Sequence, residues 1–253
     1  MLFAVDLDNT LIYSYKHYHQ GVCVEKKDGK ALSYMTTEAY TLLQQLKEQL
    51  TIVPLTTRSL EQYRRIQLWS AGEAPYALTS NGAILLVDGQ PDTSWARETA
   101  DLIQESLPEL EKALALLAQD EAITLEPRFV DAAFVYSKSR AVMQSMEMLA
   151  KELDAEKIFL DHNGEKLYVL PKALTKGMAL KRLAKRLNCV RTVAAGDSLF
   201  DLSMLEAADV AIIPQNSILS GFLGAHRELV ISDKPGEHFG EFVLETFARF
   251  GLS

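Results

Sequence analysis

The sequence predicts an α/β protein in which a parallel sheet carries an inserted α+β domain. Short apolar runs alternate along the chain with helical patterns, and several runs end in acidic or hydroxyl side chains. Alternating strands and helices are typical of a parallel sheet covered on both faces, which binds ligands beyond the carboxyl ends of its strands. Two hairpin-like pairs of strands, accompanied by two helices in the middle of the chain, predict the inserted domain.

The strands of the parallel sheet are predicted at the apolar runs, and its helices at segments whose apolar residues recur every three or four positions. The predicted strands are residues 2–7, 51–55, 76–78, 190–194, 210–214 and 229–231. The predicted helices are residues 36–50, 60–71, 176–187 and 202–208. Ser59 and Gly72 flank the second helix and are residue types typical of helix ends.

The middle of the chain predicts the smaller domain. A strand and turn are expected at residues 84–87 and 89–93, strands at 123–126 and 132–136, and a hairpin over 158–170 that turns at Asn163-Gly164. Helices are expected at 95–119, with a break near Pro108, and at 141–153. We therefore predict a catalytic core at residues 1–81 and 173–253 and an inserted domain at 82–172. Residues 13–35 form a further excursion, in which 22–25 pairs with 31–34 as a flap over the strand ends.

Composition excludes several classes of function. The 253 residues are 48% hydrophobic and 24% charged, as in ordinary globular proteins. A formal net charge of −8 argues against a nucleic-acid partner but leaves a small phosphorylated substrate open. The apolar runs are too short to span a membrane, and the N-terminus has no signal-peptide pattern. Cys23 and Cys189 have no metal or redox spacing, which predicts a reduced, cytoplasmic chain. The sequence does not predict the oligomeric state.

The first candidate site is an acidic pair at the end of the first strand. Asp6 and Asp8 are two residues apart, so their carboxylates can converge on one ligand where the strand ends. Two close negative charges are unfavourable unless a cation or a shared proton compensates them. Mg²⁺ is suited to this task because it prefers a few carboxylates together with water and phosphate oxygens. The alternative is that both are turn or helix-cap residues.

Other polar residues are predicted at the same edge of the sheet. Asp197 and Asp201 form a second acidic turn, where both can reach the cation or Asp201 can cap the helix that follows. Thr56 ends the second strand, where its hydroxyl either binds phosphate or caps a helix. Lys176 precedes a predicted helix, and it is either a solvated lysine or a group that neutralises charge on a phosphoryl group.

These segments, taken together, resemble the haloacid dehalogenase superfamily. The segment Asp6-Leu7-Asp8-Asn9-Thr10 resembles its first motif, and Thr56, Lys176 and the Asp197–Asp201 turn resemble the second, third and fourth, in the order that family requires. The resemblance spans the chain and implies a Rossmann-like core. The insertion, which begins after Asn81-Gly82, resembles the C2-type cap found in Cof-like and sucrose-phosphate phosphatases.

The resemblance implies a magnesium-dependent phosphomonoesterase with an aspartyl-phosphate intermediate. Asp6 is then the nucleophile, and Asp8 protonates the leaving oxygen and activates water. Thr56 and Lys176 hold the phosphoryl oxygens. Mg²⁺ binds Asp6, the backbone carbonyl of Asp8, and Asp197, with Asp201 directly or through water. Predicted contacts with the substrate come from Thr56, Thr57, Arg58, Asn81, Lys176 and Asn216.

Two residues depart from the family pattern: Phe200 replaces a usual Asn, and Thr57 stands where Cof-like members usually carry Gly. Neither departure removes a catalytic atom. The residues that would recognise the leaving alcohol are expected in the cap and the flap. The cap candidates are Arg128, Tyr136, Lys138, His162 and Lys172, and the flap candidates are Tyr15, Lys16, His17, Tyr18 and His19.

The leading functional hypothesis is hydrolysis of a small phosphorylated metabolite, a sugar or polyol phosphate. A phosphomutase uses the same aspartyl-phosphate but returns the phosphoryl group to its substrate. A third hypothesis is a non-catalytic binding protein that keeps the fold. The presence of Asp6, Asp8, Thr56, Lys176 and Asp197 together argues against the third, because binding alone does not require all five.

Overall fold

The structure is a computed structural model that describes residues 1–226 and 228–252. The chain folds into two compact units. The core unit comprises Met1–Asp92 and Lys176–Ser253, and the inserted unit comprises Thr93–Thr175. The core unit holds a parallel sheet, and the predicted α/β fold class is confirmed.

The elements are numbered along the whole chain. The strands are β1 (Leu2–Val5), β2 (Tyr13–Ser14), β3 (Val22–Lys27), β4 (Lys30–Met35), β5 (Ile52–Pro54), β6 (Tyr76–Thr79), β7 (Ile84–Val87), β8 (Gln90–Pro91), β9 (Ile123–Val130), β10 (Phe134–Ser139), β11 (Ile158–Asn163), β12 (Lys166–Pro171), β13 (Thr192–Ala195), β14 (Val210–Ile213) and β15 (Leu229–Ile231). The helices are α1 (Thr37–Leu46), α2 (Leu60–Tyr63), α3 (Thr93–Ile103), α4 (Leu107–Leu117), α5 (Val142–Glu152), α6 (Lys176–Arg186), α7 (Leu202–Ala207), α8 (Leu219–Phe222) and α9 (Phe239–Gly251).

The parallel sheet of the core unit has the strand order β15-β14-β13-β1-β5. Strand β1 lies between β13 and β5 and is buried along its whole length, and because side chains alternate between faces, both faces of this strand are covered. Phe3 and Val5 pack into one apolar core with Leu43 of α1 and Phe247 of α9. Val5 pairs with Ala195, so β1 and β13 end at the same level. This register brings the residues that follow the two strands to one edge.

The core unit has two further three-stranded sheets. The predicted flap is an antiparallel hairpin of β3 and β4, flanked by β2. The second sheet joins β6, β7 and β8, and it meets the chain after β5 through one parallel bridge between Leu55 and Leu78. The sequence predicted residues 76–78 as a strand of the parallel sheet. In the structure they belong to β6 in this second sheet instead.

The boundaries of the inserted unit differ from the predicted 82 and 172. The structure places them at Asp92/Thr93 and Thr175/Lys176. The reason at the first boundary is that β7 pairs antiparallel with β6, while Leu85 and Leu86 are buried. This pairing keeps residues 84–91 in the core unit.

The predicted helix over residues 60–71 is wrong in its length, because α2 ends at Tyr63. Beyond that point, Ile66 forms an antiparallel bridge with Glu25 of β3, and Gln67 donates its backbone N–H to Val24 at 2.7 Å. Pairing with the flap replaces the helical hydrogen bonds of these residues. The C-terminal helix α9 was not predicted from the sequence.

The inserted unit is an α+β domain. Its antiparallel sheet has the order β11-β12-β10-β9, and the apolar faces of α4 and α5 pack on it around Leu110, Val135 and Leu149. The predicted long helix over 95–119 divides into α3 and α4, with a 3₁₀ turn between them and Pro108 in the first turn of α4, where proline is tolerated.

Candidate active site

Three carboxylates meet where β1 and β13 end, and we call Asp6, Asp197 and Asp201 the acid cluster. One oxygen from each lies within 4.8 Å of the others. Asp6 follows β1 directly, and the loop after β13 carries the other two. Asp6 and Asp201 are buried, and Asp197 is partly buried. The structure thus brings together three of the residues that the sequence placed at this edge.

Lys176 is the cation of this cluster. It is the first residue of α6 and is fully buried. Its Nζ donates hydrogen bonds to Asp6 Oδ1 at 2.5 Å and to Asp201 Oδ1 at 2.5 Å. Three carboxylates and one ammonium group leave a formal charge of −2 when all four are ionised.

The pKa values of the cluster reflect its burial first and its excess of negative charge second. Burial, reinforced by the charge of Asp201, raises the pKa of Asp6 well above its usual range, although Lys176 opposes the shift. Burial and Asp201 likewise raise the pKa of Asp197 to about 7. Burial lowers the pKa of Lys176, but its two carboxylate partners outweigh that effect and raise it above its ordinary value.

The donor set fits a hard divalent cation. Mg²⁺ takes oxygen ligands and retains several waters, so a few carboxylates suffice. A charge of +2 would balance the formal charge of the acid cluster and remove the electrostatic reason for the raised pKa values. The residues predicted to bind magnesium therefore have the chemistry that the ion requires.

Asp201 also shapes the loop that carries Asp197. Its Oδ2 accepts hydrogen bonds from the backbone N–H of Asp197 at 3.1 Å and from the N–H and Oγ of Ser198 at 3.0 and 2.9 Å. Asp201 makes no side-chain capping hydrogen bond to α7, all of whose residues the structure describes, so the alternative that it caps the helix that follows is wrong. Its Oδ2 instead completes the capping box of the 3₁₀ turn Leu199–Asp201. Gly196 permits this loop, since a Cβ there would lie 2.4 Å from Asp201 Cβ.

A second close approach fixes the start of α6. Gly177 donates its backbone N–H to Ser203 Oγ of α7 at 3.1 Å. A Cβ on Gly177 would lie 2.1 Å from the backbone oxygen of Ser203, a distance that no side chain can occupy. Glycine therefore lets the backbone beside Lys176 rest directly on α7.

Thr10 is a residue whose role sequence reasoning missed. Its Oγ1 donates to Asp197 Oδ1 at 3.3 Å, which links the loop after β1 to the loop after β13. This hydrogen bond lowers the pKa of Asp197 but is outweighed by burial and by Asp201. The sequence did contain an indication of this role, because Thr10 is the last residue of the first motif.

The side chain of Asp8 lies outside the acid cluster. Its two oxygens accept hydrogen bonds from Arg58, Oδ2 from Nε and Oδ1 from Nη2, both at 2.7 Å. Arg58 Nη1 also donates to Glu25 Oε2 at 2.8 Å, and Glu25 Oε1 accepts from Arg65 at 3.3 Å. We call Asp8, Glu25, Arg58 and Arg65 the arginine cluster. Sequence reasoning missed Glu25 and Arg65.

The predicted phosphate-binding residues lie around the end of β5. Thr56 is buried, and its Oγ1 accepts the backbone N–H of Arg58 at 3.2 Å. Thr57 is partly buried. Asn81 is buried in the turn after β6, has a left-handed φ of 60°, and donates its backbone N–H to Thr56 O at 2.9 Å. Asn216 is exposed in the loop after β14 and has a φ of 57°.

A cavity of about 360 Å³ opens beside Asp197 within the core unit. Tyr13, His17 and Tyr18 of the flap segment line it, together with Ser217 from the loop after β14. His17 and Tyr18 were predicted to contact the substrate. The remaining flap candidates, Tyr15, Lys16 and His19, are exposed.

The cap candidates lie in the inserted unit. Arg128 stacks on the ring of Tyr136 with its Cζ 5.9 Å from the ring centre, and Tyr136 packs against Tyr168. Lys172 forms an ion pair with Glu156 at 3.9 Å. Lys138 lies on β10 and His162 on β11. Their predicted contact with substrate stays a prediction.

Among the described residues, none of the helices has the length and apolar character that crossing a membrane requires.

The parallel sheet, the inserted α+β unit and the cluster at the strand ends define a phosphatase of the haloacid dehalogenase superfamily. The profile of one family within it, sucrose-6F-phosphate phosphohydrolase, matches residues 1–220. The chain belongs to that family. A search of curated proteins found no match.

Solved structures agree on the fold. The sucrose-phosphatase of Synechocystis sp. PCC6803, solved with sucrose and phosphate, has a TM-score of 0.67 at 20% identity, over 99% of this chain and 97% of that one. A haloacid dehalogenase-like hydrolase from B. subtilis has a TM-score of 0.56 at 17% identity, over 96% and 98%. One from Bacteroides thetaiotaomicron has a TM-score of 0.56 at 16% identity, over 98% and 98%.

Proposed function

We propose that this protein is a magnesium-dependent phosphomonoesterase that hydrolyses a sugar or polyol phosphate through an aspartyl-phosphate on Asp6. One observation carries the proposal: buried Lys176 bridges Asp6 and Asp201 in a cluster that is completed by Asp197. A carboxylate nucleophile and an anionic phosphoryl group repel each other unless positive charge lies nearby. This cluster provides one buried cation, Lys176, and carboxylate ligands for a second cation.

The proposed reaction has two displacements. In the first, an oxygen of Asp6 forms a bond to phosphorus while the bond to the leaving oxygen breaks, and that oxygen takes a proton from Asp8. In the second, Asp8 takes a proton from water, the water oxygen attacks phosphorus, and the Asp6 carboxylate is released with inorganic phosphate. Each side chain ends the cycle in its starting state.

The remaining residues stabilise charge. Lys176 and the hydroxyl and nearby N–H groups of Thr56 would hold the phosphoryl oxygens. Asp6, the backbone carbonyl of Asp8, and Asp197 would hold magnesium, with Asp201 binding directly or through water. Bound magnesium would offset the negative charge that the substrate brings to a cluster already rich in carboxylates.

Membership of the family, and the similarity to a sucrose-phosphatase solved with sucrose and phosphate, support a sugar phosphate as substrate. The aromatic side chains of Tyr13 and Tyr18 beside Asp197 are suited to pack against a sugar ring. Recognition of the particular sugar is proposed to rest on the cavity and on the cap residues. A cytoplasmic location stays a prediction.

The test is phosphate release by the purified protein in the presence of Mg²⁺. The panel contains p-nitrophenyl phosphate, sucrose-6F-phosphate, hexose phosphates and polyol phosphates, and matched reactions contain EDTA. We expect magnesium-dependent release of phosphate from at least one sugar phosphate. No release from any compound would contradict the proposal, and transfer that requires a bisphosphate activator would instead indicate a phosphomutase.

A further inference from the structure

Arg58 holds both oxygens of Asp8 in one plane. Nε and Nη2 each donate to a different oxygen at 2.7 Å, which is the bidentate geometry that a guanidinium group forms with a carboxylate. The side chain of Asp8 is about half exposed, with 50% of its surface accessible. A short exposed side chain would otherwise sample several rotamers, so this pair restricts its orientation.

The third nitrogen of Arg58 contacts Glu25. Nη1 donates to Glu25 Oε2 at 2.8 Å, so each nitrogen of the guanidinium group has a carboxylate partner. Since the guanidinium group is planar, fixing Nη1 on one side fixes the two nitrogens that face Asp8. The orientation of Asp8 therefore depends on Glu25 through Arg58.

Glu25 is itself held rigidly. Only 2% of its side-chain surface is exposed. Its oxygens also accept from Ser33 Oγ at 2.6 Å and from Nε and Nη2 of Arg65 at 3.3 Å each. A buried carboxylate is costly unless it is paired and hydrogen-bonded, and these partners meet that requirement. Glu25 lies on β3 of the flap, at a shift in the strand register, where its backbone also bridges to Ile66.

We propose that Glu25 is a positioning residue for Asp8 and acts through Arg58. The inference rests on the proposed function, in which Asp8 gives a proton to the leaving oxygen. The predicted contact of Arg58 with substrate stays a prediction, and the role inferred here rests on its three guanidinium nitrogens, which all pair with carboxylates. The flap hairpin thereby sets the orientation of the proton donor.

The leaving group provides a selective readout. Protonation of the leaving oxygen matters greatly for an alkyl or sugar alcohol and little for p-nitrophenolate, which leaves without a proton. The value of kcat/KM reports formation of the aspartyl-phosphate and not its hydrolysis, in which Asp8 acts as base whatever the substrate. In kcat/KM, a residue that orients the proton donor therefore affects sugar phosphates more than p-nitrophenyl phosphate. A residue needed only for folding or for substrate binding affects both substrates alike, or raises KM.

The experiment compares Glu25→Gln with Glu61→Gln. Glu61 pairs with the same Arg65 at 3.4 Å, but its side chain is exposed whereas that of Glu25 is buried, so it serves as the matched control. We expect Glu25→Gln to lower kcat/KM for the sugar phosphate roughly tenfold or more, and for p-nitrophenyl phosphate less than about threefold. Glu61→Gln should leave both within about twofold.

Equal losses on both substrates, or no loss on either, would overturn the inference while leaving the proposed function intact. If Glu25→Gln fails to fold, Arg58→Lys is the second variant. It keeps the positive charge but cannot donate to both oxygens of Asp8 in one plane, so the same selective loss is expected. An equal loss on both substrates in that variant would also overturn the inference. Wild-type protein that releases no phosphate from any compound would instead remove the proposed function, and this inference with it.

Discussion

Asp6 and Asp8 are two residues apart in the chain but belong to regions that differ in formal charge and in burial. The acid cluster around Asp6 is buried, contains one lysine, and has a formal charge of −2. The arginine cluster around Asp8 pairs two carboxylates with two guanidinium groups and is formally neutral. Asp6 is buried, whereas Asp8 is half exposed.

The difference teaches how one short motif can supply two chemical roles. A buried cluster with excess negative charge is a site for a divalent cation and an anionic substrate that arrives with it. A neutral cluster has no need of a metal, and Arg58 orients the half-exposed carboxylate of Asp8, which can exchange protons with solvent or substrate. The chain turns after β1, so the side chain of Asp6 lies in the acid cluster and the side chain of Asp8 lies in the arginine cluster.

The largest expected effect is that of Asp6→Asn, which tests whether the acid cluster supplies the nucleophile. An amide does not form the aspartyl-phosphate, so we expect phosphate release to fall roughly 10⁴-fold or more. Steady-state phosphate release measures the effect, and thermal unfolding checks that the variant is folded. Residual activity near that of the wild type would rule out Asp6 as the nucleophile.

Asp8→Asn tests the other cluster. Loss of the proton donor and acceptor should lower kcat for a sugar phosphate roughly 10³-fold. Because the Asp8 side chain lies outside the acid cluster, the rise in Tm that Mg²⁺ produces should stay as in the wild type. Parallel kinetics and thermal melts check both statements. A lost magnesium response would place the Asp8 side chain in the metal site.

Lys176→Met removes the only cation bonded to Asp6 and Asp201 among the described contacts. We expect kcat to fall roughly 10²-fold, because the phosphoryl oxygens lose a charge partner. Without metal the variant should be less stable by about 3 kcal/mol, since breaking a buried ion pair leaves uncompensated charge. Denaturant unfolding measures the second effect. Lys181→Met, on the exposed side of α6, is the matched control and should change neither.

The smallest effect concerns pH and the stability of the metal-free protein. Because burial and Asp201 raise the pKa of Asp197 from 3.8 to about 7, the folded state binds more protons than the unfolded state in that interval. The metal-free protein should therefore lose stability as pH rises from about 4 to about 7.

Magnesium should counter this loss. The rise in Tm should be roughly 5–10 °C at pH 8, with Mg²⁺ about 100-fold above its Kd. At pH 6 it should be smaller, because protons compete for the carboxylates. Thermal melts with Mg²⁺ and with EDTA at both pH values provide the measurement. An equal or larger rise at pH 6 would contradict a metal site in the acid cluster.

Much of the core could be predicted from the sequence because polar residues at strand ends leave a local signal. Asp6, Asp197 and Asp201 follow apolar runs, and the parallel register of β1 with β13 brings them together. Lys176 could be placed only by resemblance, because a lysine before a helix has no local pattern that indicates burial.

The arginine cluster could not be predicted for a different reason. Strict alternation along β3 would direct Val24 and Glu25 to opposite faces, yet both are buried. The cause is the register shift at Glu25, a nonlocal feature that the residue pattern does not encode. The same pairing ends α2 early, because Ile66 bridges to Glu25 where a helix was expected.

The contact between Gly177 and Ser203 has a consequence for mutational tolerance. No larger residue fits at position 177 without displacing α7 or the start of α6, which carries Lys176. A saturation scan scored by activity would therefore mark Gly177 as indispensable, although it has no side chain to contribute to the chemistry. Some positions at which substitution abolishes activity would therefore be sensitive because two helices pack closely there, and not because their side chains take part in the reaction.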